Sequence, residues 1–343
     1  MENNSTENFE HGNNTAASTG ENTFEQRIDL SGLRESFEKV KNEIGKVIIG
    51  QESMIEHLLA ALLANGHVLI EGVPGVAKTI TAKLLAKTID VGFSRIQFTP
   101  DLMPSDILGT AVFNVKNSEF EFRKGPIFSN FILIDEINRS PAKTQAALFE
   151  VMEERQITMD GIRYEMEEPF LVVATQNPVE HEGTYRLPEA QLDRFLFKIN
   201  VGYPNLEQEV LIIKNHHENK LEDKTDAVKP VISGAQLKEY QRLASDVVVE
   251  SHLQEYIARI ILNTRENALL YLGASPRASL ALLSASKAFA AIRGRDFVTP
   301  EDIKEASYAV LRHRVMVSPE REMEGLSADV IIRQILETIE IPR

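Results

Sequence analysis

The segment GVPGVAKTI sets glycines, a lysine and a threonine in the order that a polyphosphate site requires. Its residues are Gly72, Val73, Pro74, Gly75, Val76, Ala77, Lys78, Thr79 and Ile80. They follow a short apolar run, His67–Gly72, and open a helical pattern. Glycines let a backbone approach an anion closely, and the first turn of a helix offers free N–H groups with partial positive charge. Lys78 would reach the outer phosphates, and the Thr79 hydroxyl would ligate magnesium. The usual pattern has glycine immediately before the lysine, and Ala77 stands there instead. We read Ala77 as the first helical residue, where alanine is an excellent helix former. Taken alone, the loop also fits an ordinary strand–turn–helix with an incidental lysine.

A second constellation supplies acid–base groups. FILIDEIN, Phe131–Asn138, runs from apolar residues into Asp135 and Glu136. Carboxylates at a strand's carboxyl end stand where open parallel sheets bind ligands. Asp135 would hold magnesium through water, and Glu136 would polarise an attacking water as general base. VVATQNP, Val172–Pro178, is another apolar run ending in polar residues, and its Asn177 would contact a γ-phosphate or orient that water. A lone Asn-Pro also reads as a turn. Arg194, in LPEAQLDRF, follows a short helical stretch. A guanidinium there could stabilise transition-state charge, and a surface ion pair with Asp193 or Glu189 is the other reading. Arg277, in GASPRA, falls in the first turn of a predicted helix, where a cation opposes the helix dipole; that points to an anionic partner, and a local ion pair is the other reading.

Elements must hold these groups in place. Short apolar runs at His67–Gly72, Ile96–Phe98, Phe131–Asp135, Phe170–Thr175 and Phe195–Val201 read as strands. Helical stretches lie between them at Thr79–Thr88, Ala142–Glu154 and Glu189–Arg194. Buried strands alternating with helices predict an α/β fold with a parallel sheet covered on both faces. Upstream, Leu33, Phe37, Val40 and Ile44 are spaced as one face of a helix. A second helix is predicted over Ser53–Asn65, with Ser53 as N-cap and Gly66 as its stop. Downstream, residues 207–219, 234–245, 250–271, 276–293, 300–312 and 327–338 read as helices. Ser233 with Gln236 forms a capping box, and Ser275-Pro276 and Thr299-Pro300 are cap-then-proline starts. Helices without intervening strands predict a separate helical domain after GYPN, Gly202–Asn205.

Composition narrows the function classes. The chain is 43% hydrophobic and 26% charged, enough apolar material for a sizeable core, and it has no cysteine for disulfide or thiolate chemistry. A formal charge of −14 with no basic stripe disfavours nucleic acid as a partner. The start lacks a signal-peptide pattern and no run is long enough to cross a membrane, so a cytoplasmic location is expected. Residues 1–26 are rich in Asn, Thr, Ser, Glu and Gly and are expected to be a disordered tail.

As a set these segments resemble the MoxR family of AAA+ ATPases. The resemblance rests on VIIGQ (Val47–Gln51), GVPGVAKT, FTPDLMPSDILG (Phe98–Gly109), GPIF (Gly125–Phe128), DEINRSPAKTQAALFEVMEE (Asp135–Glu154), ATQNP, LPEAQLDRF and GASPRA. It spans about residues 28 to 340. The resemblance implies a five-stranded parallel core at residues 27–203 and a helical lid at 204–343. Gly72, Gly75, Lys78 and Thr79 then match the Walker A loop, and Asp135 and Glu136 match Walker B. Asn177 matches sensor 1, Arg194 the arginine finger and Arg277 sensor 2. Ile49, Gly50 and Gln51 match the segment lining the adenine pocket. An insert at about 102–124 and a β-hairpin at about 155–168 are also implied, the latter turning at Asp160-Gly161. The implied cofactors are ATP and magnesium. The implied partners are further copies of the chain in a hexameric ring and a client, one with a von Willebrand factor A domain. The implied role is chaperone-like maturation or metal and cofactor insertion. A nucleotide-gated scaffold with little hydrolysis and a nucleic-acid motor are the alternatives.

Overall fold

The computed structural model describes residues 28–159, 161–178, 185, 187–218 and 224–341. The tail at 1–26 and the turn residue Asp160 lie outside these residues. Helix α1, Ser31–Gly45, buries Leu33, Phe37, Val40 and Ile44, the face expected from their spacing. Helix α2, Glu52–Leu63, begins earlier than expected: its N-cap is Gln51, and Ser53 falls within the first turn. At its end Asn65, not Gly66, takes the left-handed conformation, at φ 52°. The Gly66 N–H then closes onto the Ala61 carbonyl at 2.9 Å. Gly66 is required for another reason, because a Cβ there would stand 2.6 Å from Leu196.

The chain next alternates as expected through β1 (His67–Gly72), α3 (Lys78–Thr88) and β2 (Phe93–Gln97). Helix α4 (Pro104–Leu108) and the hairpin β3 (Gly109–Asn114) and β4 (Glu119–Lys124) precede β5 (Phe131–Asp135). Helix α5 (Ala142–Glu154) leads into a second hairpin, β6 (Gln156–Met159) and β7 (Ile162–Glu165), and then β8 (Leu171–Gln176). The short α6 stops at Leu192 rather than Arg194, and β9 is Phe195–Val201. The main sheet has the order β2-β5-β8-β1-β9, and every pair in it is parallel. Parallel neighbours need crossover connections, which α3 and α5 supply on the faces. Strand β5 is buried at all its positions, as a strand covered on both sides must be. Alternate residues therefore feed two apolar cores: Leu133 and Val173 on one face, Ile134 and Val172 on the other.

After β9 the chain is mainly helical: α7 (Leu206–Glu218), α8 (Gly234–Ser245), α9 (Ser251–Glu266), α10 (Pro276–Ile292), α11 (Pro300–Leu311), α12 (Pro319–Met323) and α13 (Ala328–Thr338). The helix expected over 250–271 ends at Glu266, and Leu270–Leu272 form strand β10, antiparallel to β11 (Met316–Val317). The Ser233–Gln236 capping box is present. Ser275 makes no cap bond, because its hydroxyl donates to Asp193 at 3.0 Å. At Thr299 the reciprocal partner is Asp302, which accepts the Thr299 N–H at 2.9 Å.

Arg314, which follows α11 and is 8% exposed, docks the helical part onto the sheet. It donates to the Asp193 carboxylate at 2.7 Å and to the carbonyls of Phe195 at 2.6 Å and Leu196 at 3.0 Å. His313 adds a hydrogen bond at 2.9 Å between its Nε2 and the same Phe195 carbonyl. The start of α10 is thereby brought beside the residues preceding β9.

Candidate active site

A cavity of about 540 Å³ opens at the carboxyl ends of β1, β5 and β8. Pro74, Gly75, Ala77, Lys78, Thr79 and Ile80 line it from the loop between β1 and α3. Asp135, Glu136, Thr175 and Asn177 line it from β5 and β8. The sheet order explains the meeting: β8 lies between β1 and β5, so Thr175 stands between the loop and the carboxylates. This is the position at which open α/β sheets bind ligands.

The loop's backbone departs from the sequence reading at one place. Ala77 is not helical; it is the N-cap of α3 and adopts the left-handed conformation at φ 62°, ψ 17°. The glycine of the usual pattern is thus matched to a backbone requirement rather than to helix propensity. Gly75 sits at φ 87°. Gly72 has no room for a side chain, since a Cβ would stand 2.7 Å from the Val201 carbonyl oxygen on β9. The Lys78 ammonium reaches back to the Gly72 carbonyl across the loop.

Asp135 is 6% exposed and both of its oxygens are engaged. Oδ1 accepts from the hydroxyls of Thr79 at 3.3 Å and Thr175 at 3.2 Å. Oδ2 accepts from Arg95 Nε at 2.7 Å. Glu136 follows in the left-handed region at φ 57°, ψ 52°, and its N–H donates to the Thr175 hydroxyl at 3.1 Å. Its carboxylate accepts from Gln97 Nε2 at 2.9 Å and lies 3.1 Å from Arg139 Nε.

Arg95, Gln97 and Thr175 were not singled out by sequence reasoning. A usable signal existed: Arg95-Ile96-Gln97 alternates polar, apolar, polar on a strand that runs toward the site, which puts both polar side chains on one face.

Arg194 and Arg277 converge on Glu153 rather than lining this cavity. Arg277 Nη2 donates to Glu153 Oε1 near the end of α5, which supplies the anionic partner its helix position called for. Arg194 Nε lies 3.7 Å from the other oxygen, Glu153 Oε2, so its partner is neither Asp193 nor Glu189. That distance is too long for a hydrogen bond, and among the described residues the buried Arg194 Nε has no hydrogen-bond partner. Asp193 joins the two regions, accepting from Ser275 just before α10 and from Arg314. Ile49, Gly50 and Gln51 also do not line the cavity. Gly50, at φ 75°, lies against the side chain of Gln208 on α7.

Comparison with known proteins agrees with this fold. The model of the ATPase family associated with various cellular activities (AAA) matches residues 67–197, and that of the AAA lid domain matches residues 262–335. The uncharacterized protein YeaC of Bacillus subtilis is 46% identical over 307 residues, which cover 89% of this chain and 94% of that protein. Chaperone MoxR1 of Mycobacterium tuberculosis is 44% identical over 317 residues, covering 90% of this chain and 83% of that protein. The crystal structure of a candidate ATPase from Cytophaga hutchinsonii is similar with a TM-score of 0.84 at 44% identity, covering 92% of this chain and 97% of that chain.

Proposed function

Because this chain belongs to the MoxR family of AAA+ ATPases, we propose that it binds ATP with magnesium against Lys78, Thr79 and Asp135 and hydrolyses it to ADP and phosphate to remodel a client protein. One observation carries the reading. The Thr79 hydroxyl and Asp135 Oδ1 stand 3.3 Å apart, with Glu136 next in the chain. Two oxygen donors at that spacing fit one small hard cation, which takes few protein ligands and completes its shell with phosphate and water. Bound there, the cation would offset the negative charge of the phosphates.

The chain's own groups do the rest. The loop amides from Gly75 to Thr79 and the Lys78 ammonium hold the phosphates at the start of α3. Glu136 accepts the proton of the attacking water, and Gln97 holds its carboxylate until substrate arrives. Asn177, at the end of β8, orients that water or the γ-phosphate.

Arg194 and Arg277 share Glu153 away from their own cavity, which supports action on the nucleotide of a neighbouring copy. Hydrolysis then needs assembly, and a hexameric ring satisfies that need. Residues 27–203 serve as the nucleotide-binding core, and 204–343 move as a lid whose Gln208 already touches Gly50 of the adenine-side segment Ile49–Gln51. The hairpins at β3–β4 and β6–β7 carry exposed Phe113, Phe120 and Ile162, apolar surface suited to a partner. The client we propose has a von Willebrand factor A domain and receives a metal or cofactor, in the cytoplasm.

Nucleotide binding and single-turnover hydrolysis test this reading. Lys78→Ala is expected to lose ATP binding. Glu136→Gln is expected to retain it while turnover falls by about 10²- to 10⁴-fold. Wild-type turnover in Glu136→Gln would remove the carboxylate from its assigned role.

A further inference from the structure

We propose that Arg95 is a built-in counter-cation for Asp135 that competes with the magnesium of the nucleotide. The inference rests on the nucleotide reading given above. Arg95 and Gln97 leave the same face of β2, the edge strand of the sheet, and β2 pairs with β5 so that Gln97 lies opposite Asp135. Each of the two therefore reaches one carboxylate: Arg95 holds Asp135 at 2.7 Å and Gln97 holds Glu136 at 2.9 Å.

A carboxylate as buried as Asp135 is costly without a positive partner. Arg95 supplies that charge on Oδ2, while the Thr79 and Thr175 hydroxyls face Oδ1. The Arg95 side chain is 55% exposed, so its head can withdraw into water without losing a packed environment. Arg314, sunk among carbonyls, has no such freedom. A divalent ion and a guanidinium cannot both neutralise one carboxylate at close range without repelling each other. Metal affinity at Asp135 is therefore the difference between two cations, and the guanidinium returns when the metal leaves with product.

The test is a magnesium titration at saturating fluorescent ADP analogue. Arg95→Ala is expected to lower the magnesium concentration at half-saturation by about threefold to tenfold, the range between an exposed ion pair and a charged hydrogen bond. Arg95→Lys, which keeps the charge, is expected to stay nearer wild type. Without metal, Arg95→Ala is expected to melt below wild type and to gain more from added magnesium, a readout independent of turnover. Arg95→Gln gives the same comparison should the alanine variant not fold. An unchanged or higher magnesium requirement in the neutral variants overturns the proposal. A wild-type protein that binds the analogue no better than Lys78→Ala would instead sink the nucleotide reading itself.

Discussion

Ala77, in the loop between β1 and α3, and Glu136, just past the end of β5, face the same cavity, and both hold positive φ, at 62° and 57°. A side chain there costs on the order of 1–2 kcal/mol, which only the surrounding structure can sustain. At Glu136 the conformation belongs to a cavity-lining carboxylate that Gln97 holds. At Ala77 the methyl group has no such task, so Ala77→Gly is expected to raise unfolding stability by about 1 kcal/mol, read as a higher denaturant midpoint with unchanged slope. A lower midpoint would mean that the methyl group packs usefully. This conformation was not legible beforehand, because helix propensity says nothing about the sign of φ one residue before the helix. Lys78, Thr79, Asp135 and Glu136 were legible, since their types and spacing state a chemistry. Arg95 was less so: an arginine in an edge strand reads as solvated unless one knows which strand lies beside it.

At the scale of elements, β1 begins with a buried histidine that helps fix its register. His67 Nδ1 accepts the Val172 N–H at 3.0 Å, and Nε2 donates to the Met152 carbonyl at 3.1 Å, so the neutral ring ties β1 to β8 and α5. Burial, with Arg155 nearby, lowers its pKa to about 4. An unfolded histidine titrates near about 6.5. The unfolded chain therefore binds the extra proton first as pH falls. Stability from this site is complete above about pH 6.5 and is lost toward pH 4, by about 3 kcal/mol in all. His313, which burial also pushes well below its usual range, acts in the same direction. Denaturant midpoints at about pH 7.5 and about pH 5 should differ less in His67→Gln than in wild type, and equal differences would contradict the assignment. Elements with strong local signals were legible, such as α1 from its four buried positions and α5 from its full span. The end of α9 was not. Apolar residues continue past Glu266, and only pairing with Met316–Val317, far along the chain, makes Leu270–Leu272 a strand.

For the whole molecule, the alternation of short apolar runs and helices was enough to give a parallel sheet with a helical region after it. What alternation could not give was the placement of Arg194 and Arg277 on one carboxylate, because Glu153, Arg194 and Arg277 come from three separate elements. That placement makes assembly the central claim: the cavity of one copy is completed by the arginines of another. Specific ATPase activity is accordingly expected to rise with protein concentration as rings form. The most direct measurement mixes two inactive variants. Lys78→Ala keeps its arginines but not its nucleotide, and Arg194→Ala keeps its nucleotide but not its finger. Neither should hydrolyse ATP alone, and the mixture should recover part of the wild-type rate. A mixture as inactive as its components, or an Arg194→Ala protein that hydrolyses at the wild-type rate by itself, would contradict the claim.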